Sequence, residues 1–392
     1  MSTANHRIPL YEPDFAQDPH TSYQRMRLQF GSLVPVLLAP DVPATLVVGY
    51  EAARRILGDP QRFPADPRRW QTSVPDTCPI RPMMEWRPNA LRSAGAEHAR
   101  YRAANTAALG AVDQHALRDH VERVAEQTIN TFKAAGKADL LSQYAWPIAF
   151  RTLSYLLGCP DDVGHRIADG MAKIFDGVNA STGNRILAQA VADLVALRRR
   201  RPGSDVTSRL LVHLARLNDT EMGQQLITLY GAGIEPLTNL IVNTLLEMLT
   251  NDEFSGDLHA GDASVREALD TVLYRDPPLA NFAMTYPPRP VDIGGYLLPA
   301  DQPVVISYAA CNNDPTVGAH RAVGNRAHLA WGAGPHRCPA SSHAYLAAEA
   351  AILHILDVLP EMDLVGHRDD LVWRPGPFHR SLTALPVAFP AS

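Results

Sequence analysis

The sequence predicts a mainly α-helical protein with a small β region, and three observations carry that prediction. Apolar residues at helical spacing fill most of 117–217, run on through 220–250, and return at 341–359. Strand-like runs are few and short, at 34–38, at 45–48 and within 291–307. The 392 residues are 46% hydrophobic, ample for a large core. The expectation is a single domain over 1–392, with residues 1–10 as a flexible start.

Composition excludes several function classes. A formal charge of −5 gives no reason to expect nucleic acid or an anionic membrane surface. The first fifteen residues, MSTANHRIPLYEPDF, hold no apolar stretch, so no membrane anchor is expected there. Cys78, Cys159, Cys311 and Cys338 lie far apart, without CxxC or zinc spacing. A reducing, cytoplasmic location is expected.

In chain order, 23–28 reads as a short helix after the turn at Asp18 and Pro19. The β-branched runs 34–38 and 45–48 read as two strands of a small sheet, and 52–57 as a helix closed by Gly58 and Pro60. Prolines then crowd 63–89, which reads as loop; its Met83, Met84 and Trp86 suit an apolar pocket wall or an anchor in the core. In the helical stretch 95–109, His98 and Arg102 are four apart and share a face, either solvated or able to hold an anion. The helical region 117–217 is interrupted at 158–160, and its four arginines at 198–201 read as a solvated helix end before Pro202 and Gly203.

The pattern at 220–250 is the longest and, if unbroken, spans about 46 Å. Its middle reads Ala232, Gly233, Ile234, Glu235, Pro236, Leu237, Thr238. A proline there costs about 3 kcal/mol or more, so the stretch is either a kink or a functional site. Another helix at 265–274 ends before Asp276, Pro277 and Pro278. Residues 291–307 read as strand, turn, strand, punctuated by Gly294, Gly295 and Pro299.

Residues 328–340, HLAWGAGPHRCPA, place one cysteine among glycines and prolines. A thiolate is a soft metal ligand, and haem iron is one metal it holds alone. Glycines let a backbone press against a flat cofactor, and Pro339 suits the first turn of the helix after it. A cysteine in such a turn is otherwise inert and buried. The neighbours decide: Trp331, Gly332, Gly334, His336, Cys338 and Ala340 resemble the cysteine-ligand loop of the cytochrome P450 family. Trp331 stands where that family usually has Phe, and Ala340 where it usually has Gly.

The resemblance covers about 11–389 and points to the soluble, actinobacterial branch of that family. It implies a triangular prism of helices with haem b between a distal and a proximal helix. It implies a haem-thiolate monooxygenase or oxidase that uses O2 for hydroxylation, or for oxidative C–C or C–N coupling, of a natural-product-like small molecule. Electrons would come from a separate ferredoxin and ferredoxin reductase, because no flavin or iron–sulfur segment is present. Cys338 would ligate the iron, and His98, Arg102 and His336 would hold the propionates. Ala232 and Gly233 match the small residues against the porphyrin, and Glu235 matches the acid of the distal helix. The tip of a terminal hairpin at 371–386, with Phe378 and His379, would enter the substrate pocket unless these are ordinary hairpin side chains.

Departures from the family pattern are specific. Pro236 replaces the alcohol that follows the acid, and Thr238 is rotated by about 200° from it. The Glu-x-x-Arg pair is missing, with Thr271 and Tyr274 in its place. The arginine usual after the two prolines is also missing; Thr285 stands near its place and Arg289 is a weak substitute. Asn312, Asn313, Asp314 and Pro315 resemble Asn-Arg-Asp-Pro, and only twelve residues then precede His328. An alternative is therefore a haem-binding but catalytically impaired protein that serves as a binding or recruitment domain.

Overall fold

The computed structural model describes residues 7–175, 180–251, 262–317 and 326–391. Strand β1 (Ile8–Pro9) lies parallel to β2 (Leu33–Ala39), and the sealed Leu10 donates its N–H to the Leu37 carbonyl at 2.9 Å. Within the start expected to be flexible, residues 8–10 are instead held by strand pairing and apolar burial; residues 1–6 lie outside the described residues. Helices α1 (Pro13–Gln17) and α2 (Pro19–Phe30) each place proline in the first turn, where its missing N–H costs nothing. Strand β3 (Val42–Val47) returns antiparallel to β2, and α3 (Tyr50–Leu57) comes next, both as the sequence predicts. The proline-crowded 63–89 is less plain than expected. It holds a 3-10 turn, Trp70–Ser73, and helix α4 (Arg81–Met84), because Trp70 and Met84 are pulled into the core.

Helices then dominate: α5 (Gly95–Gly110), α6 (Gln114–Ile129), α7 (Trp146–Leu157), α8 (Asp161–Phe175), α9 (Ala180–Arg200), α10 (Val206–Val212) and α11 (Asp219–Thr250), with the short strand β4 (Lys137–Asp139) among them. Asp113 caps α6 by accepting the His115 and Ala116 N–H groups, and Leu117, Val121, Val124 and Thr128 then form its buried stripe. The expected break falls at Gly158, left-handed with φ 65°. A Cβ there would come 2.4 Å from Asp205 Cγ, so only glycine fits. Arg198 is not merely solvated. Its Nε donates to the Gly158 carbonyl at 2.8 Å and stands 3.3 Å from the Asp205 carboxylate, stapling α9 to that break.

Helix α11 runs unbroken through Pro236 and spans about 48 Å. Asn218 and Glu221 cap it reciprocally, at 3.0 and 2.9 Å. Glu221 also pairs with Arg100 and accepts the Tyr101 hydroxyl at 3.0 Å, which fixes the start of α11 on α5. Every residue of 237–248 is buried, so tertiary packing on all sides outweighs the local cost of the proline. Among the described residues no helix is long and apolar enough to cross a membrane.

Helix α12 (Asp262–Arg275), strands β5 (Asn281–Thr285), β6 (Val291–Ile293), β7 (Tyr296–Leu298) and β8 (Val304–Ser307), helices α13 (Tyr308–Asn312) and α14 (Ser341–Val358), and strands β9 (Asp363–Leu364) and β10 (Pro386–Ala388) complete the order. The large sheet runs β1-β2-β3-β8-β5, β6 and β7 form a hairpin, and β10 lies between β4 and β9. Side chains alternate across the large sheet with period two. Val34, Val36, Leu46 and Val305 enter one core with Trp70 and Met84; Leu33, Val47, Val304 and Ile306 enter another with α3 and Leu329. The main core is helical, from α6 to α14 around α11. Residues 318–325, in the short connection before His328, lie outside the described residues.

Candidate active site

The segment 329–340 is a closed finger. Leu329 N–H donates to Asn312 Oδ1 at 2.8 Å, Gly332 N–H to the Leu329 carbonyl at 2.7 Å, and Cys338 N–H to the Trp331 carbonyl at 2.7 Å. Gly334, left-handed at φ 67°, crosses the end of α3; a Cβ there would lie 2.1 Å from the Leu57 carbonyl oxygen. Pro339 lies two residues before α14 rather than in its first turn, and Ala340 occupies the N-cap. Cys78, Cys159 and Cys311 are buried, whereas Cys338 is only half-buried despite its depth in the fold, as expected of a residue that lines an internal space. Burial pushes its thiol pKa up; the Ala340 N–H, Arg102 and Arg337 pull it down.

The cationic residues named from the sequence come together beside it. The His98 and His336 rings lie 4.0 Å apart at 34°, and Arg102 of α5 donates to the Arg337 carbonyl. His98 Nε2 is buried with no hydrogen-bond partner. Burial pushes the His336 pKa down to about 3, helped by the nearby His98, Arg102 and Arg92 charges. Among the described residues, none of Arg92, Arg102 and Arg337 has a carboxylate partner within ion-pair distance. Three arginines, an orphan imidazole nitrogen and a recessed cysteine fit a dianionic, thiolate-ligated group such as haem, whose two propionates would supply the missing charge. No cluster of three or more His, Cys, Asp or Glu side chains suited to a bare metal ion occurs among the described residues.

Past its first turn, α11 has one exposed residue, Ala232, between the buried Tyr230 and Ile234. Gly233 is small for a packing reason, since a Cβ there would lie 2.7 Å from Leu153 Cδ1 of α7. Glu235 forms an ion pair with Arg374 of the terminal segment. Pro236 gives the Ala232 carbonyl no N–H, and the buried Thr238 hydroxyl donates at 2.9 Å to the Ile234 carbonyl of its own helix. One turn on, Ser381 Oγ donates to Asn239 Oδ1 at 2.9 Å, so the terminal segment lies along α11.

Other candidates separate. Met84 is sealed under the large sheet and Phe378 packs edge-on against Phe282 at 6.2 Å, so both anchor the core rather than face a pocket. Met83 is partly buried against the same core, and Arg68 stacks over Trp86 at 5.2 Å. Arg289 is exposed after β5, and Thr285 Oγ1 is buried without a partner.

Sequence reasoning missed an ion pair that stands in for Glu-x-x-Arg. Asp270 of α12, one residue before Thr271, accepts from Arg326 Nε at 3.2 Å, and Arg326 stacks over Tyr345 of α14 at 5.1 Å. Tyr274 packs edge-on to His328 at 6.4 Å, and Asn312 joins the Leu273 carbonyl to the Leu329 N–H. The cysteine loop is thus tied to α12 through Asp270, Tyr274 and Asn312. Arg374 and Arg92 were also missed: both stand in irregular segments where spacing assigns no face.

No protein-family model matches the chain. It is 29% identical over 388 residues to the cytochrome P450 monooxygenase PikC of Streptomyces venezuelae, covering 95% of this chain and 92% of that one. It is 26% identical over 374 residues to the 2-hydroxy-5-methyl-1-naphthoate 7-hydroxylase of Streptomyces carzinostaticus, covering 90% and 91%. Among solved structures, CYP154C4 of Streptomyces sp. ATCC 11861 superposes with a TM-score of 0.89 at 23% identity, over 98% of this chain and 99% of that one. The chain is thus similar over nearly its whole length to bacterial cytochrome P450 monooxygenases, on a shared fold that brings Cys338, His98, Arg102 and His336 together.

Proposed function

We propose that residues 1–392 form one haem-thiolate monooxygenase domain that hydroxylates, or oxidatively couples, a natural-product-like small molecule. It would use O2 and electrons from a ferredoxin and its reductase. The observation that carries this reading is the site itself: one half-buried cysteine beside a cationic cluster that no carboxylate among the described residues neutralises. Relatives named as a naphthoate hydroxylase and a polyketide-biosynthesis P450 support the substrate class.

Haem b would supply oxygen activation, with Cys338 as its iron ligand. The protein's own groups bind, shape and exclude. His98, Arg102 and His336 offer donors to the propionates from two sides of the loop–α5 contact. Gly334 lets the loop press against α3, which fixes the depth of Cys338. Ala232 leaves space on the opposite helix, where any larger side chain would intrude. Glu235 is held by Arg374, so its carboxylate is positioned and its proton exchange depends on that pair.

The test is spectroscopic. The reduced, carbon-monoxide-bound protein should show the red-shifted Soret band of a thiolate ligand, and Cys338→Ser should abolish it. A band that survives in the variant would rule out this ligand.

A second reading has its own support. Pro236 has no hydroxyl, the Thr238 proton is committed to Ile234, and Glu235 is tied to Arg374. A protein that binds haem but turns over no substrate, acting in recruitment, is consistent with those three commitments. Normal thiolate spectra with no product from any ligand would favour it.

A further inference from the structure

Arg92 is a buried cation with too few partners. It is 4% exposed, three residues before α5. Its Nε and Nη2 donate to the Met83 carbonyl at 3.2 and 2.5 Å, and its guanidinium stands 5.6 Å over the Phe282 ring of β5. Its Nη1 has no hydrogen-bond partner, and no carboxylate pairs with it, among the described residues. A guanidinium removed from water is costly unless its charge is met, and one carbonyl and one ring meet only part of it.

Its surroundings point the same way. The His336 ring hydrogen-bonds the backbone of Ala90, two residues before Arg92, and packs on His98, whose Nε2 is buried and without a hydrogen-bond partner among the described residues. The Arg92 charge is felt at Tyr286, next to Thr285, the position on β5 from which the expected arginine is missing. Thr285 carries no charge and its own hydroxyl is unpartnered. A cation is thus absent from the strand and present, in the same neighbourhood, on the preceding loop.

We propose that Arg92 is a carboxylate-binding residue of the haem site: it takes over from the loop the charge that β5 lacks, and its free Nη1 meets a haem propionate. This rests on the haem reading above. It also means that haem loading ties down the segment carrying Met83 and Trp86, because Arg92 already holds the Met83 carbonyl.

The experiment measures haem transfer from the holoenzyme to apomyoglobin for wild type, Arg92→Gln and Arg92→Lys. It is repeated with each protein loaded with haem dimethyl ester, which has no propionate charge. Arg92→Gln should lose haem about 10- to 100-fold faster, the scale of one charge-assisted hydrogen bond. Arg92→Lys should recover much of that difference, and the wild-type advantage should collapse towards unity with the ester. Equal transfer rates, or an unchanged ratio with the ester, would make Arg92 a loop staple only and overturn the proposal. If Arg92→Gln does not fold, the same acid-to-ester comparison between wild type and Arg92→Lys decides. A wild-type protein with no thiolate band would instead overturn the haem reading itself.

Discussion

The two sides of the recess treat charge in opposite ways. On the cysteine side, Arg92, Arg102, Arg337 and His98 gather without a carboxylate among the described residues, and His98 Nε2 has no hydrogen-bond partner among them. On the α11 side the charge is met: Glu235 pairs with Arg374, the Thr238 hydroxyl donates to its own helix, and Asn239 Oδ1 accepts from Ser381. Unmet charge marks the side built to receive a charged group. Met charge marks the side whose groups are occupied with the fold, and there Pro236 stands where the family pattern has an alcohol.

The largest expected effect tests whether the α11 side is closed for lack of a hydroxyl. Proton delivery by a positioned group typically contributes about 10²–10⁴-fold, so Pro236→Thr should raise product formed from apolar ligands by about tenfold or more. It should also return an N–H to the Ala232 carbonyl. Coupling efficiency, product per NADPH with a surrogate redox system, is the measurement. Glu235→Gln should lower it further, and ligands carrying their own hydroxyl near the iron should couple better than apolar ones in the native protein. Equal coupling across such a panel would remove the idea that the missing alcohol matters.

A smaller effect tests what holds the cysteine side in place. Arg326→Met leaves the buried Asp270 without its cation. Arg326 itself is mostly exposed, so the loss is about 1–2 kcal/mol, read as a drop of a few degrees in Tm and faster haem loss. Rebuilding the family pair with Thr271→Glu and Tyr274→Arg should add little, since Asp270 and Arg326 already tie α12 to the loop. A large gain in Tm would show that they do not.

The smallest effect lies away from both sides. His120 stacks on Tyr155 at 4.1 Å, and burial pushes its pKa down to about 4. The unfolded chain, near 6.5, therefore binds more protons than the fold between those values. The stability it contributes is complete above pH 6.5 and is lost as pH falls towards 4. Part exposure reduces this to about 1 kcal/mol. His120→Gln should flatten the rise in Tm between pH 5 and 7 by about a degree or two; an unchanged slope would place that pH dependence elsewhere.

Much of this was legible from residues alone. The cysteine loop, the α5 face bearing His98 and Arg102, and the long helix at 220–250 are local patterns, each set by neighbours within a few turns. Met84 and Phe378 were ambiguous, because an apolar side chain in a loop serves a pocket wall and a core equally well until its neighbours are known. The structure puts both in the core beneath the large sheet.

By itself the sequence determined the helices, the short strands and the chemistry of the Cys338 loop, since backbone propensity, apolar period and turn glycines act over short separations. The tertiary structure alone decided which charges meet. Asp270 finds Arg326, Glu235 finds Arg374, and Arg92 is left near His336 with no acid to pair with among the described residues. The physical reason is that an ion pair depends on distance and desolvation in space, and separation along the chain sets neither.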